Sequence, residues 1–235
     1  QNKKAGNFGD IAVLSMQQRK NLCCGDGGLV VCKTKKLHQK IYNLRSFGDK
    51  ELSYNYRINE IAAGIARIRL KRLDHENKMR NKIAKKIRDK FNGIEGFRVM
   101  EPIKSSYAVY YKLIIFYDYN LFTKNLGFFI KKMNSIKIPV SKTYLPLNKH
   151  SNFNLSYVPA RGTTWLKPFT KKKFPKNMNI LNMPVTEEIS FKKVFQINIP
   201  PYLKNNQIEY FVKSVKNFAI DFKKSNFKKW SSVLI

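Results

Sequence analysis

The stretch from Ser15 to Gly28 constrains the fold more than any other part of the chain. A short apolar run, residues 11–14, precedes it, and a second apolar run follows at residues 29–32. Short runs of branched apolar residues bounded by glycine predict buried β-strands. Between the two runs lie a serine, a lysine and three glycines. Since glycine tolerates tight turns and close backbone approach, this pattern predicts a strand–loop–strand unit that can contact a ligand.

The lysine between these strands is Lys20. A lysine between two buried strands would lose part of its hydration, and its neutral amine would then become a nucleophile toward an aldehyde. The alternative is that Lys20 is one surface lysine among 36.

The residues around Lys20 form a motif that resembles that of the DegT/DnrJ/StrS-type sugar aminotransferases. These enzymes use pyridoxal 5'-phosphate (PLP) and have the fold type I aminotransferase architecture. The resemblance implies that Lys20 is the catalytic residue that binds PLP through its aldehyde, and that Ser15 binds the cofactor's phosphate. The family has Glu where this chain has Asp26. The matching residues are Gly9, Asp10, Ser15, Lys20, Asn21, Leu22, Gly25, Asp26, Gly27 and Gly28.

A second motif resembles the same family, at the start of an expected long helix. Its residues are Asn55, Tyr56 and Arg57, followed by paired alanines and a Leu–Lys–Leu stretch. The resemblance implies a homodimer in which Asn55 reaches the neighbouring subunit's PLP phosphate while Arg57 binds substrate. The positive end of a helix also favours phosphate. The alternative is that Asn55 makes a turn and Arg57 is a solvated charge.

A third match concerns substrate entry. Tyr144, Leu145, Pro146 and Leu147 resemble a family segment that lines this entry, which implies a substrate-binding role for Tyr144. Asn148 stands where the family usually has His.

The apolar periodicity and the resemblance together predict an α/β fold. We expect residues 1–98 to be the end of the PLP-binding domain of a fold type I aminotransferase, including a long amphipathic helix over about 58–92. Residues 99–222 are expected to form a small α/β C-terminal domain, and residues 223–235 a basic tail. The elements expected outside the long helix are helices within 34–47, 122–133, 183–186 and 208–222, and strands within 107–119, 136–140 and 194–201.

The net charge of +31 invites comparison with nucleic-acid-binding proteins. Lysines outnumber arginines 36 to 10, whereas arginine is the usual residue for bidentate recognition of bases. The basic residues are also spread along the whole chain. We therefore expect no specific nucleic-acid partner, although a phosphorylated ligand would be attracted.

Cysteine usage and hydropathy limit the remaining classes. Cys23, Cys24 and Cys32 form no cluster with histidine that has metal-ligand spacing, so no metal site is expected. No apolar run is long enough to cross a bilayer, and the first residues lack a signal-peptide core, so we expect a cytoplasmic protein without membrane contact.

The resemblance implies a PLP-dependent transaminase that acts on a keto group of a nucleotide-linked sugar, with glutamate as the amino donor. It covers about residues 5–220 but matches only the later part of the family's sequence. Family members carry an acidic partner of the pyridine nitrogen and a stacking aromatic ring upstream of the lysine. We therefore expect a fragment that lacks the upstream half of the site and exposes sheet surface. The alternatives are a non-catalytic remnant of the family and a basic nucleic-acid-binding protein.

Overall fold

The computed structural model describes residues 3–46, 53–150 and 182–225. The chain divides into two compact units. The first comprises residues 1–83 and 102–111, and the second comprises residues 84–101 and 112–235.

The first unit contains a β-hairpin, one whole helix and the larger part of a second, long helix, whose last residues belong to the second unit. Strand β1 (Ile11–Ser15) pairs antiparallel with β2 (Gly28–Cys32), so that Ile11 faces Cys32 and Ser15 faces Gly28. Helix α1 (Lys35–Arg45) follows, and the Thr34 side chain caps it by accepting a 3.2 Å hydrogen bond from the Leu37 N–H. The helix expected within 34–47 is thus confirmed.

The hairpin strands are exposed, so the prediction of two buried strands is wrong. Val13 is 72% exposed, and Val30 is 49% exposed. Apolar runs without alternation predict burial on both faces, but packing decides whether a covering surface exists. In the part of the chain that the structure describes, most of the apolar side chains of β1 and β2 stay open to solvent.

Helix α2 runs from Glu60 to Phe91, where the sequence predicts a helix over about 58–92. The Asn59 side chain caps it by accepting a 2.8 Å hydrogen bond from the Ala62 N–H. Its apolar stripe divides into two parts. Ile61 is 79% exposed, whereas Ile87 is fully buried, which shows that periodicity locates an apolar face without showing what covers it.

The second unit is a four-stranded antiparallel sheet with helices. The strand order is β3-β4-β6-β5, and each neighbouring pair is antiparallel. The elements are β3 (Phe97–Val99), β4 (Leu113–Tyr117), α3 (Leu126–Ser135), β5 (Val140–Lys142), α4 (Pro184–Glu188), β6 (Val194–Ile197) and α5 (Asn205–Phe222).

Aromatic side chains fill the core of this unit. Phe129 is fully buried, and its ring centroid lies 4.8 Å from that of Phe195 and 4.9 Å from that of Phe218. Tyr117 lies among the same rings and donates a 2.5 Å hydrogen bond to the Lys124 carbonyl. Burial raises the pKa of the Tyr117 phenol well above its ordinary value.

Two strands differ from their expected positions. The strand expected within 107–119 covers only Leu113–Tyr117, because Tyr110 has a φ of +43°, which ends the extended run. The strand expected within 136–140 instead begins at Val140, because Lys137 makes a turn with a φ of +65°. The expected elements around 122–133, 183–186, 194–201 and 208–222 are confirmed, with shorter bounds for the strand. Phe47 and residues 226–235 lie outside the described residues.

Candidate active site

A loop of twelve residues joins β1 to β2, since β1 ends at Ser15 and β2 begins at Gly28. Backbone hydrogen bonds close it at both ends, with the Met16 N–H donating to the Gly27 carbonyl (2.9 Å) and the Cys24 N–H to the Met16 carbonyl (3.0 Å). Gly27 has a φ of +148°, and a Cβ there would lie 2.9 Å from Cδ1 of Ile58. A glycine is therefore needed at this position, for its backbone conformation and for space.

The loop packs on the first turns of α2. Met16, Cys24 and Ala62 are buried together, and Leu22 and Ala66 pack against them. Small residues on α2 allow the loop to approach the helix closely. This apolar anchor holds the segment that carries Lys20.

Lys20 lies at the tip of a turn, with its N–H donating to the Gln17 carbonyl at 2.8 Å. The residue is half-buried, and its Nζ lies 4.5 Å from the centroid of the Tyr111 ring. At this separation an ammonium group is attracted to the face of an aromatic ring. The amine is therefore held beside a ring within the first unit.

Ser15 lies at the other end of the same loop and is exposed. Its Oγ accepts a 3.3 Å hydrogen bond from the Gln17 N–H. The Gln17 carbonyl in turn accepts the hydrogen bond from the Lys20 N–H. Ser15 and Lys20 thus share Gln17 as a local partner, and the loop brings both predicted residues into one structural element.

The sequence motifs do not predict a polar cluster that the loop contacts through Asn21. Asn21, next to Lys20, donates through Nδ2 to Asn77 Oδ1 (3.3 Å) and to the Val109 carbonyl (2.9 Å). Arg80 Nη1 donates to the same Asn77 oxygen at 3.1 Å. The side chain of Glu76 is 6% exposed, and its Oε2 lies 3.2 Å from Arg80 Nη2.

A sequence signal for this cluster existed. Glu76 and Arg80 have opposite charges and are spaced i, i+4, which places them on one helix face. Arg69 also contacts the same carboxylate oxygen, at 3.3 Å. Only the fold shows that this face is buried and that Asn21 joins it.

Asn55 and Arg57 contact each other through their side chains. Arg57 Nε donates to Asn55 Oδ1 at 3.1 Å, and Asn55 forms a β-bridge with Ser46. Both side chains are exposed. Among the described residues, Asn55 has no hydrogen bond to Ser15 or Lys20.

Tyr144 belongs to the second unit and is 69% exposed. Nearby, Asn148 is 1% exposed, and its Nδ2 donates to Glu187 Oε1 at 2.8 Å. The residue that replaces the family's usual histidine is therefore part of a buried structural contact in this chain.

Comparison with known proteins decides the family. The profile of the DegT/DnrJ/EryC1/StrS aminotransferase family matches residues 1–216. The chain belongs to this family. The sequence resemblance is thereby confirmed, and sugar aminotransferases are the relatives that it indicates.

Two curated relatives and one solved structure illustrate the relationship. GDP-perosamine synthase from Escherichia coli O157:H7 is 24% identical over 230 residues, which is 93% of this chain and 54% of the relative. UDP-4-amino-4,6-dideoxy-N-acetyl-beta-L-altrosamine transaminase from Campylobacter jejuni is 36% identical over 91 residues, which is 34% of this chain and 24% of the relative. Helicobacter pylori PseC, an aminotransferase involved in the biosynthesis of pseudoaminic acid, is 19% identical, with a TM-score of 0.76. The match to PseC covers 94% of this chain and 56% of that one, and it shows that this chain has the fold of the corresponding part of that aminotransferase.

This DegT/DnrJ/EryC1/StrS family chain spans about half the length of the relatives that it matches over most of its own length. Within it, the groups around Lys20 fit an aldehyde that carries a phosphate. Lys20 offers a primary amine, which condenses with aldehydes, and Ser15 offers a hydroxyl hydrogen to a phosphate oxygen. The Tyr111 ring offers a flat apolar face beside the amine. These residues therefore fit PLP.

Two negative findings hold for the described residues only. Within residues 3–46, 53–150 and 182–225, no group of three or more His, Cys, Asp or Glu side chains is arranged to bind a metal ion. In the same ranges, no helix combines the length and the apolar character that a membrane span requires.

Proposed function

We propose that this chain supplies the lysine-bearing part of a PLP-dependent aminotransferase, which moves an amino group to a keto group on a nucleotide-linked sugar. Glutamate is the proposed amino donor. Nucleotide-linked sugars are named as GDP- or UDP-derivatives in the relatives from Escherichia coli and Campylobacter jejuni. The observation that carries the proposal is the amine of Lys20, held 4.5 Å over the Tyr111 ring in a glycine-rich loop.

Each residue has a proposed task. When bound, PLP supplies the electron sink that amino-group transfer requires. Lys20 binds the cofactor and, through Nζ, accepts and returns the proton at the substrate carbon. Ser15 donates a hydrogen bond to the phosphate. Tyr111 covers one side of the amine and excludes water from it.

The remaining assignments from the sequence stay predictions. Asn55 of the partner subunit is proposed to bind the same phosphate in a homodimer, which agrees with the exposure of Asn55 and of Ile61 nearby. Arg57 and Tyr144 are proposed to contact the nucleotide-linked sugar, and both are exposed enough to do so. The cytoplasmic setting is also a prediction.

The test is site-specific trapping of PLP. The chain is incubated with PLP, reduced with borohydride and digested, and the pyridoxyl group is located by mass spectrometry. We expect Lys20 to carry far more label than exposed lysines such as Lys40, and Lys20→Arg to remove the labelling and the associated absorbance band. Lys40→Arg is the matched control and should change neither.

The outcome that contradicts the proposal is equal labelling of many lysines. In that case the net charge of +31 indicates the function better than the motif around Lys20 does. A non-catalytic or polyanion-binding role is then favoured. A steep loss of DNA binding with rising salt would then be expected.

A further inference from the structure

Asn21 joins the loop of Lys20 to both structures that surround it. Its Nδ2 donates to Asn77 on α2 and to the backbone carbonyl of Val109. Two residues after Val109 comes Tyr111, whose ring lies under the lysine amine. One side-chain amide therefore links the loop, the helix and the segment that carries the ring.

The acceptor on α2 is itself held in place. Asn77 is 9% exposed, and its oxygen also accepts from Arg80, which is paired with Glu76. The hydrogen bonds among Asn77, Arg80 and Glu76 are buried and share atoms, so a movement of one member costs another its partner, which restrains the position of Asn77. A neighbouring bond from Asn81 Nδ2 to the Ala108 carbonyl (2.9 Å) holds the 102–111 segment to the same helix.

We propose that Asn21 is a positioning residue that keeps the amine of Lys20 over the Tyr111 ring. The relevance of this positioning to catalysis rests on the proposed function, whereas the position of the amine over the ring does not. Without the two Asn21 hydrogen bonds, the loop retains its apolar anchor while the turn around residue 20 loses its link to the ring segment. The amine then samples positions away from the ring, and its productive orientation becomes rarer.

The geometry is tested without any cofactor. Lysines are dimethylated reductively with ¹³C-formaldehyde, which keeps their positive charge, and the methyl signals are recorded by NMR. The Lys20 signal, assigned with Lys20→Arg, should be shifted upfield by the ring current of Tyr111. Tyr111→Leu should abolish this shift, and Tyr111→Phe should preserve it.

The decisive variant is Asn21→Leu, which keeps the branched shape and the number of side-chain heavy atoms and removes the amide donor of both hydrogen bonds. We expect the upfield shift of the Lys20 methyls to be lost. Gln18→Leu is the matched control, because Gln18 is an exposed polar residue of the same loop, and it should leave the shift unchanged. If Asn21→Leu does not fold, Asn21→Ser is used, since serine is too short to reach both acceptors.

The inference is overturned if the shift is absent from the wild-type chain or persists in the folded Asn21 variant. A second measurement connects it to function. The rate at which PLP labels Lys20 should fall on the order of 10- to 100-fold in Asn21→Leu. An unchanged rate likewise overturns the positioning role. Failure of PLP to label Lys20 in the wild type would reject the proposed function alone, because the NMR signature does not depend on the cofactor.

Discussion

Replacing Arg80 by methionine should loosen the middle of α2. The side chains of Arg80 and Glu76 are 7% and 6% exposed, and their charged atoms lie 3.2 Å apart. Removing one member of a buried ion pair typically costs about 3–5 kcal/mol, since the other charge stays buried without its main partner. Here Arg69 still contacts Glu76 at 3.3 Å, with a side chain that is 35% exposed. We therefore expect the lower end, about 3 kcal/mol.

Hydrogen exchange measures this loss locally and does not require the two units to unfold together. Amides of α2 near Arg80 should exchange about 100-fold faster in Arg80→Met, since each 1.4 kcal/mol corresponds to about tenfold. Arg72→Met is the matched control, because Arg72 is exposed on the same helix, and it should change stability by less than about 0.5 kcal/mol.

A double variant separates a lost interaction from a lost side chain. Glu76→Leu combined with Arg80→Met removes both charges, and its amides should exchange more slowly than those of Arg80→Met alone. The reasoning is refuted if Arg80→Met accelerates exchange no more than Arg72→Met does, since the buried pair would then contribute nothing to the helix.

Two further predictions concern the second unit. A Cβ at Gly96 would lie 2.3 Å from the Phe122 ring, whereas Gly93 has a similar positive φ and open space around it; Gly96→Ala should therefore lower the melting temperature clearly more than Gly93→Ala, and equal effects would contradict the proposed overlap. The hydrogen bond from Asn148 lowers the pKa of Glu187 below its ordinary 4.5, so its contribution is present above pH 4.5 and is lost as pH falls through the folded-state value. The stability difference between wild type and Glu187→Gln should accordingly be largest near neutral pH and shrink in acid, and a difference independent of pH would refute this.

The spacing of apolar residues was sufficient to predict those elements in which the apolar face is also the buried face. Helix α5 is an example, because five of its apolar residues at three- and four-residue spacing are buried, namely Ile208, Phe211, Val212, Val215 and Phe218. The motif around Lys20 was likewise sufficient for the family, since the serine, lysine and glycines must keep fixed spacing to form one loop. Glycine at position 27 has a visible reason in the structure, which is its φ of +148° and the nearby Ile58.

The sequence alone determined the family and the order of the helices, because these follow from residue type and from spacing along the chain. Tertiary structure alone decided the burial of Glu76 and Arg80, the contact of Lys20 with Tyr111 and the exposure of the hairpin strands. The physical reason is that periodicity reports only on residues a few positions apart, so it cannot predict contacts between residues separated by dozens of positions. Lys20 and Tyr111 are brought together only when the loop and the 102–111 segment bind the same helix.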